Sequence, residues 1–359
     1  MAPSNKKFYL FGYPVAHSAS PAFHNCVFQG QKTGNSFEYW STSKVTDEML
    51  ETLQSDECGG TAVTMPLKAA IIPFLDEISP ESKITDACNT IVKVPTANGQ
   101  IKLVGQNTDI LGVRNALVNA LRTQFPAQTI SPNSSFPASA KGAGLVIGGG
   151  ATTRSAAHAL TLLGLSPIFL INRDPAEVKF VQDAMPHLSS KNGLVHLRTP
   201  QDVEDYLVGE GKPQILMAVG AIPAISPQTY AERMVYTTVM ALLTIPYAAP
   251  RVPESELPIP VKRLFLEMPY KPRRTPMLQI VEAMGWHGLN GIQAMIEQGL
   301  AQQRMWQTGQ ATVEAGSDGG ILPPEIEAAA RKLADDMTDV VVHGKEVDRA
   351  EGKEAARRK

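Results

Sequence analysis

Hydrophobic and polar positions alternate between short apolar runs and segments with helical spacing. FYLFGYP (8–14) reads as a strand, SPAFHNCVFQG (20–30) as a helix opening at Ser20-Pro21, and TAVTM (61–65) as a second strand. A serine cap followed by proline marks a helix start, because the first turn does not need the proline's missing N–H. The second strand runs into Met65-Pro66-Leu67-Lys68. Proline cannot donate to a sheet ladder, so the strand stops there and delivers a lysine to the rim of the core.

Residues 123–142, TQFPAQTISPNSSFPASAKG, are rich in Pro, Ser and Ala without periodicity, and read as a linker or long surface loop. A new pattern follows. GLVIGGGATTRSAAHALTLLGLSPIFLINRD (144–174) is strand, glycine turn, helix, strand, which is a βαβ unit. QILMAV (214–219) and RLFLEM (263–268) supply later strands, and GIQAMIEQGLAQQRMW (291–306) has helical spacing. EIEAAARKLADDM (325–337) reads as a helix in a charged tail that ends GKEVDRAEGKEAARRK and frays. The chain shows no internal repeat.

Composition narrows the function classes. The 359 residues are 43% hydrophobic and 19% charged, with a net charge of -2, enough for two domains with real cores. That balance gives no sign of a nucleic-acid or membrane-surface binder. No apolar run approaches the roughly 18 residues of a membrane span. The N-terminal MAPSNKKFYLFGYP lacks a long apolar segment and a small-residue cleavage site, so it reads as uncleaved. The cysteines, Cys26, Cys58 and Cys88, are odd in number and far apart, which fits a reducing, cytoplasmic compartment rather than a disulfide framework. The seven histidines form no HExxH or HxH pattern, so no metal is expected.

Gly148-Gly149-Gly150 lies between the strand LVI and a helix, with Thr153 where a third fingerprint glycine would stand. Gly148 permits a tight turn, and Gly150 lets backbone N–H groups approach a pyrophosphate at the helix N-terminus. A bare glycine triplet also serves as a structural turn; its place in a βαβ unit is what points to a dinucleotide. The next strand ends at Asn172-Arg173-Asp174. An acidic residue here accepts the ribose hydroxyls of NAD, and an arginine receives the extra phosphate of NADP. The chain has both, and the residues alone leave the choice open.

Four polar interruptions remain: Ser18 and Ser20 in AHSASPAFHN, Asn89-Thr90 in DACNTI, Asn107-Thr108-Asp109 in GQNTDILG, and Lys68. Caps and turns explain most such residues one at a time. Together they supply hydroxyl and amide groups for a polyol, with a lysine and an aspartate able to act as a pair. Oxidising a secondary alcohol needs a hydride acceptor and a base for the hydroxyl proton, and such a pair meets the second need without a metal.

With these residues the chain resembles the shikimate/quinate dehydrogenase family. The ordered motifs SASPAFHN, AVTMPLK, DACNTI, GQNTD, GGGATTRSA, NRD, LEMPYKPRRTP and GIQAMIEQG with WQTG carry the resemblance from about residue 7 to 309. Their wording looks most like fungal members: the last domain of the fused aromatic-pathway enzyme and the separate quinate/shikimate dehydrogenases. The resemblance implies an α/β fold, with an N-terminal substrate-binding domain (1–112, helices 289–330 returning to it) and a Rossmann dinucleotide-binding domain (113–288). A charged tail (331–359) follows.

The resemblance further implies that Ser18 and Ser20 bind the substrate carboxylate. Thr64, Asn89, Thr108, Asp109 and Gln298 would contact ring hydroxyls, Lys68 and Asp109 would be the catalytic pair, and Tyr270 would close over the substrate. Gly148, Gly149, Gly150, Thr152 and Arg154 would line the cofactor phosphates, and Asn172, Arg173 and Asp174 the adenosine ribose. Ala218, Val219 and Gly291 would lie near the nicotinamide. The implied cofactor is NAD, with some use of NADP, and the partner a small molecule, quinate or shikimate. Ala62 and Ala151 depart from the family's usual polar residue and glycine, and neither removes the catalytic pair. Two readings of other kinds stay open: a non-catalytic ligand sensor of the quinate pathway, disfavoured by retention of Lys68 and Asp109, and a dehydrogenase of another hydroxy acid.

Overall fold

The computed structural model describes residues 5–131, 133–189, 193–249, 257–312, 321–338 and 346–350. Two compact units divide the chain: Met1–Thr108 with Met295–Lys359, and Asp109–Ala294.

The first unit begins β1 (Lys7–Gly12), α1 (Ser20–Gly30), β2 (Ser36–Ser41), α2 (Asp47–Gln54), β3 (Cys58–Val63), α3 (Leu67–Ala70), β4 (Glu77–Ile78), α4 (Pro80–Thr85), β5 (Thr90–Pro95) and β6 (Ile101–Gln106). The sheet order is β2-β1-β3-β5-β6-β4 among the described residues. Strands β1, β2 and β3 are parallel, while β5 is antiparallel to β3 and β6. β1 is buried from Phe8 onward because the sheet is covered on both faces. Tyr9 and Phe11 pack with Trp40, Met49, Leu53 and Leu67 on one side. On the other, the Phe8 ring lies 4.9 Å from Phe28 and 5.0 Å from Trp306.

Gly60 explains how Trp306 comes so near. A Cβ there would sit 2.4 Å from the indole, and its φ of +154° is one that residues with side chains rarely adopt. The indole N–H then donates to the Ile91 carbonyl at 3.1 Å.

The second unit runs α5 (Asp109–Gln124), β7 (Gly142–Ile147), α6 (Ala151–Leu162), β8 (Ile168–Ile171), α7 (Pro175–Ala184), α8 (Pro186–Ser189), β9 (Leu194–His196), α9 (Pro200–Leu207), β10 (Gln214–Gly220), α10 (Tyr230–Leu243), β11 (Leu264–Glu267), α11 (Pro276–Ala283) and β12 (His287–Leu289). Its strands are all parallel in the order β12-β11-β10-β7-β8-β9. Renumbered within the unit this is the doubly wound order 3-2-1-4-5-6, whose reversal between β7 and β10 opens a crevice at the strand C-termini. The α/β fold with a Rossmann-type unit therefore stands.

Among the described residues there follow α12 (Ile292–Thr308), most of which belongs to the first unit, and α13 (Pro324–Asp336), which packs on α1 and continues across residue 331.

Three local expectations need correction. Ser20 is the first residue of α1 rather than its cap; Ala19 holds the cap position without a side-chain hydrogen bond. β3 ends at Val63, three residues before Pro66, as the chain turns into α3. Of the two readings of the 123–142 segment, the linker falls because the segment lies within the second unit, and the surface loop stands, since most of its residues are exposed or half-buried. Ile130 and Phe136 are buried, the Phe136 N–H donates to the Leu163 carbonyl at 2.8 Å, and Arg122 donates to the Ile130 carbonyl. Two apolar anchors outweigh its Pro/Ser composition.

Candidate functional site

In the first unit, the start of β5 and the end of β6 lie side by side. This brings Asn89 and Thr108 together, and α12 adds Gln298. The Asn89 Oδ1 accepts from the Thr108 N–H at 2.7 Å and the Thr90 hydroxyl at 2.8 Å. The Gln298 Oε1 accepts from the Thr108 hydroxyl at 3.2 Å and the Asn89 Nδ2 at 3.4 Å. Asn89 and Thr108 are buried, while Gln298 is half-exposed. The cluster thus pairs amide donors with a carbonyl acceptor, which suits a hydroxyl group that must both accept and donate. Asn107, by contrast, turns inward and donates to the Thr85 hydroxyl at 2.8 Å.

Lys68 stands half-buried in α3, and its carbonyl accepts from the Cys88 N–H at 2.8 Å, tying α3 to the segment that presents Asn89. Thr64 is half-buried between β3 and α3. Asp109 is 9% exposed and opens α5, where the helix dipole favours a carboxylate. Ser18 and Ser20 are brought together, with the Ser18 Oγ accepting from the Ser20 N–H at 3.2 Å. That bond leaves the Ser18 hydroxyl proton available as a donor.

In the second unit the glycine triplet forms the turn from β7 to α6. Gly148 has a φ of +141°, and a Cβ on it would meet Thr153 Oγ1 at 2.8 Å and the Ala221 carbonyl oxygen at 3.0 Å. Gly150 caps α6 without a side-chain bond, and a Cβ there would meet nothing within 4 Å. The buried Thr153 hydroxyl also makes no hydrogen bond. Open space over an uncapped helix N-terminus fits a pyrophosphate. Thr152 is half-buried beside this turn. Arg154 turns under it, 3% exposed, with its guanidinium 5.1 Å from the Phe180 ring centroid.

The three residues after β8 part company. Asn172 donates through Nδ2 to Glu177 at 2.7 Å, and Arg173 pairs with Glu232. The Asp174 carboxylate caps α7 by accepting from the Ala176 N–H at 2.8 Å. Asp174 is thus committed to its helix, and the carboxylate nearest the glycine turn is Glu177, which a Cβ on Gly149 would meet at 2.4 Å. Ala218 belongs to the hydrophobic core and Val219 is fully buried in β10, so neither side chain lines a cleft. Gly291 packs against the Met268 carbonyl, leaving no room for a side chain, and Tyr270 is half-buried between β11 and α11.

Sequence reading missed four further polar residues. His24, inside α1, is fully buried among aromatic rings, and burial lowers its pKa to about 3. Glu177 lies in the first turn of α7. Glu267 ends β11 at 1% exposure, its carboxyl pushed up to about 8 by burial. Glu346 binds the loop after β1. Only Glu267 carried a local signal, as an acidic residue inside the apolar run RLFLEM.

Among the described residues no group of three or more His, Cys, Asp or Glu is placed to hold a metal ion. None of their helices is long and apolar enough to cross a membrane.

A doubly wound glycine-loop unit and a second α/β unit in one chain define a two-domain α/β protein with a Rossmann-type half. Residues 10–91 match the family model of the shikimate dehydrogenase substrate binding domain. The dehydroquinate dehydratase and shikimate dehydrogenase of S. pombe AroM is 27% identical with a TM-score of 0.67, over 92% of this chain and 53% of that one. This chain therefore spans about half of that fused protein. Shikimate 5-dehydrogenase from Thermus thermophilus, solved with NADP(H) and shikimate, is 24% identical (TM-score 0.59; 91% of this chain, 99% of that one). Quinate dehydrogenase from Corynebacterium glutamicum, solved with NAD, is 18% identical (TM-score 0.59; 90% and 98%). The chain carries a shikimate dehydrogenase substrate-binding domain and has the fold of the shikimate and quinate dehydrogenases, as its motifs implied.

Proposed function

We propose that this protein is a nicotinamide-dependent dehydrogenase of quinate or shikimate, with Lys68 and Asp109 as its acid–base pair. The observation that carries the reading is one chain holding both a match to the shikimate dehydrogenase substrate-binding domain, with Asn89 inside it and Thr108 and Gln298 hydrogen-bonded around Asn89, and a glycine-loop doubly wound unit. A nicotinamide held by the Gly148–Gly150 turn would supply the acceptor for the hydride that leaves the alcohol carbon.

The chain's own residues do the rest. Ser18 and Ser20 hold the substrate carboxylate with hydroxyl donors. Asn89 and Gln298 hold a ring hydroxyl between a donor and an acceptor. Lys68, acting as the neutral amine, takes the proton of the reacting hydroxyl and becomes the ammonium, and Asp109 keeps the hydroxyl oriented, so one hydride and one proton leave the alcohol. The Gly148–Gly150 turn and the α6 N-terminus hold the pyrophosphate.

NAD is the preferred cofactor in this reading. The Glu177 carboxylate stands beside Gly149 and Arg173 already faces Glu232, an arrangement that disfavours a doubly charged 2′-phosphate. A separate role, in quinate metabolism or in aromatic amino acid biosynthesis, follows from whichever acid is turned over.

The test is direct. Purified protein is given quinate or shikimate, each with NAD⁺ or NADP⁺, and nicotinamide absorbance is followed. Turnover of either acid supports the proposal. Tight binding of an acid without turnover would instead identify a ligand sensor.

A further inference from the structure

A head-to-tail chain of hydrogen bonds runs through the first unit from α12 to Asn89. Gln307 Nε2 donates to Gln303 Oε1 at 3.1 Å, and Gln303 Nε2 faces His24 Nδ1 at 2.9 Å. His24 Nε2 faces Gln302 Oε1 at 3.2 Å, and Gln302 Nε2 donates to the Thr90 hydroxyl at 2.9 Å. Thr90 in turn donates to Asn89 Oδ1 at 2.8 Å.

Backbone groups fix the direction. The Thr108 N–H can only donate, so the atom of Asn89 that it meets at 2.7 Å is the oxygen. The Asn89 carbonyl can only accept, so the atom of Gln302 at 3.4 Å from it is the nitrogen. The other end of Gln302 is then an acceptor, which requires the His24 proton on Nε2 and a lone pair on Nδ1. Gln298 is anchored likewise, its Nε2 donating to the Met295 carbonyl at 3.2 Å. Reversing Gln302 would set two acceptors against each other and take the Thr90 proton away from Asn89.

We propose that His24, through Gln302 and Thr90, is a positioning residue that locks the Asn89 amide with its oxygen inward and its N–H donors toward the substrate oxygen. With Oδ1 occupied by Thr108 and Thr90, Asn89 offers donors beside Gln298. The Thr108 hydroxyl stands 3.0 Å from both Asn89 Oδ1 and the Thr90 hydroxyl and 3.2 Å from Gln298 Oε1, so it closes the cluster between the two amides. The ring is stacked on Phe37 at 4.4 Å and lies 5.1 Å from Trp306, an apolar cage that keeps it neutral. Its lowered pKa, caused by burial, agrees with a ring that cannot donate from both nitrogens.

This inference rests on the proposed reaction for its kinetic arm and is independent of it for its spectroscopic arm. Nitrogen-15 NMR of the full chain should show His24 as the Nε2-protonated tautomer, whichever acid the protein binds. His24→Phe fills the aromatic cage but breaks the chain. It should raise KM for the acid about three- to tenfold, the effect of one lost hydrogen bond, and leave KM for the nicotinamide unchanged. His24→Gln restores a donor toward Gln302 and should recover most of the loss. Gln302→Leu and Gln302→Glu each remove the donor to Thr90 and should repeat the rise, which covers a failure of His24→Phe to fold. An Nδ1-protonated ring overturns the inference. So does an equal KM in His24→Phe, His24→Gln and wild type. If neither acid is turned over, the reaction fails and the tautomer alone decides this proposal.

Discussion

The Ser41 hydroxyl donates to the Glu346 carboxylate across 305 residues of sequence. The same carboxylate accepts from the Val15 N–H at 2.8 Å and the Ala16 N–H at 3.1 Å, and two residues on, Asp348 accepts from the Ser43 N–H at 3.1 Å. Residues 346–350 thus tie down the loop after β1 that leads to Ser18, whose own N–H donates to the Val15 carbonyl at 2.9 Å.

The first prediction concerns this contact. Burial pushes the Glu346 carboxyl up, but the Ser41 hydroxyl and the Val15 and Ala16 N–H groups outweigh it and hold its pKa below the usual carboxylate range. A depressed folded pKa contributes stability above the unfolded value of about 4.5 that is lost as pH falls through the folded one. Glu346→Gln should cost about 1–2 kcal/mol at neutral pH and flatten the acid limb of stability, measured by denaturant unfolding. It should also raise KM for the acid, because it loosens the loop that leads to Ser18. Unchanged stability at neutral pH would show that this contact contributes nothing.

Lys68 and Asp109 should behave as one unit. Lys68→Ala is expected to lower turnover by about 10²–10⁴, the range for a lost general acid or base. The double variant should be little worse than the worse single one, since groups that act together are not additive. Single-turnover kinetics with saturating acid provide the measurement. Near-normal turnover in Lys68→Ala removes the pair from the chemistry.

Cofactor choice should follow Glu177 rather than Asp174. Asp174→Ala removes the α7 cap, costing about 1 kcal/mol of stability with little change in preference. Glu177→Gln should raise the ratio of kcat/KM for NADP⁺ over NAD⁺ by about tenfold, as relief of one partly screened like-charge contact does. A larger shift in Asp174→Ala than in Glu177→Gln reverses this assignment.

Glu267 should make the second unit less stable as pH rises from about 4.5 to about 8. Its Oε2 makes no hydrogen bond, and Gly220 leaves it room, since a Cβ there would stand 2.5 Å away. Tyr236 of α10 is the other titratable group coupled to it, its own pKa raised by burial and by Glu267. Burial raises the folded pKa of Glu267 from 4.5 to about 8, so the folded state holds a proton that the unfolded state releases. This contribution is complete below about 4.5 and is lost as pH rises to about 8, by up to about 1.4 kcal/mol per pH unit. Glu267→Gln should flatten the decline, seen as thermal midpoints at pH 5 to 8. An identical slope in the variant means that another group controls it.

Much of the second unit was legible in the chain because its signals are local. A glycine triplet between an apolar strand and a helix needs no distant residue to be recognised, and the βαβ reading of 144–174 stands in β7, α6 and β8. The polar stretches DACNTI and GQNTD drew notice for a similar reason, since hydrophilic residues interrupt apolar runs. What escaped is built from long range. His24 reads like any histidine in an amphipathic helix, and its partners are 278 and 279 positions away. Asp174 reads as a strand-end acid, and the sequence did not show that α7 begins there and that its first N–H groups draw on the carboxylate. Ser20 failed as a cap because the chain is already helical at Ala19, which removes the extended geometry that a capping side chain needs.

The first unit is discontinuous, and this has a consequence for synthesis. The second unit is a single stretch, Asp109–Ala294, made between the two halves of the first. A ribosome therefore delivers every residue of the doubly wound sheet before Gln302, Gln303 and Trp306 emerge to meet His24, Phe8 and Gly60. Until then the aromatic face around Phe8, Phe28 and Phe37 has no Trp306 against it, a nascent surface that chaperones recognise. Order of birth lets the doubly wound sheet be complete while the first unit still waits for α12.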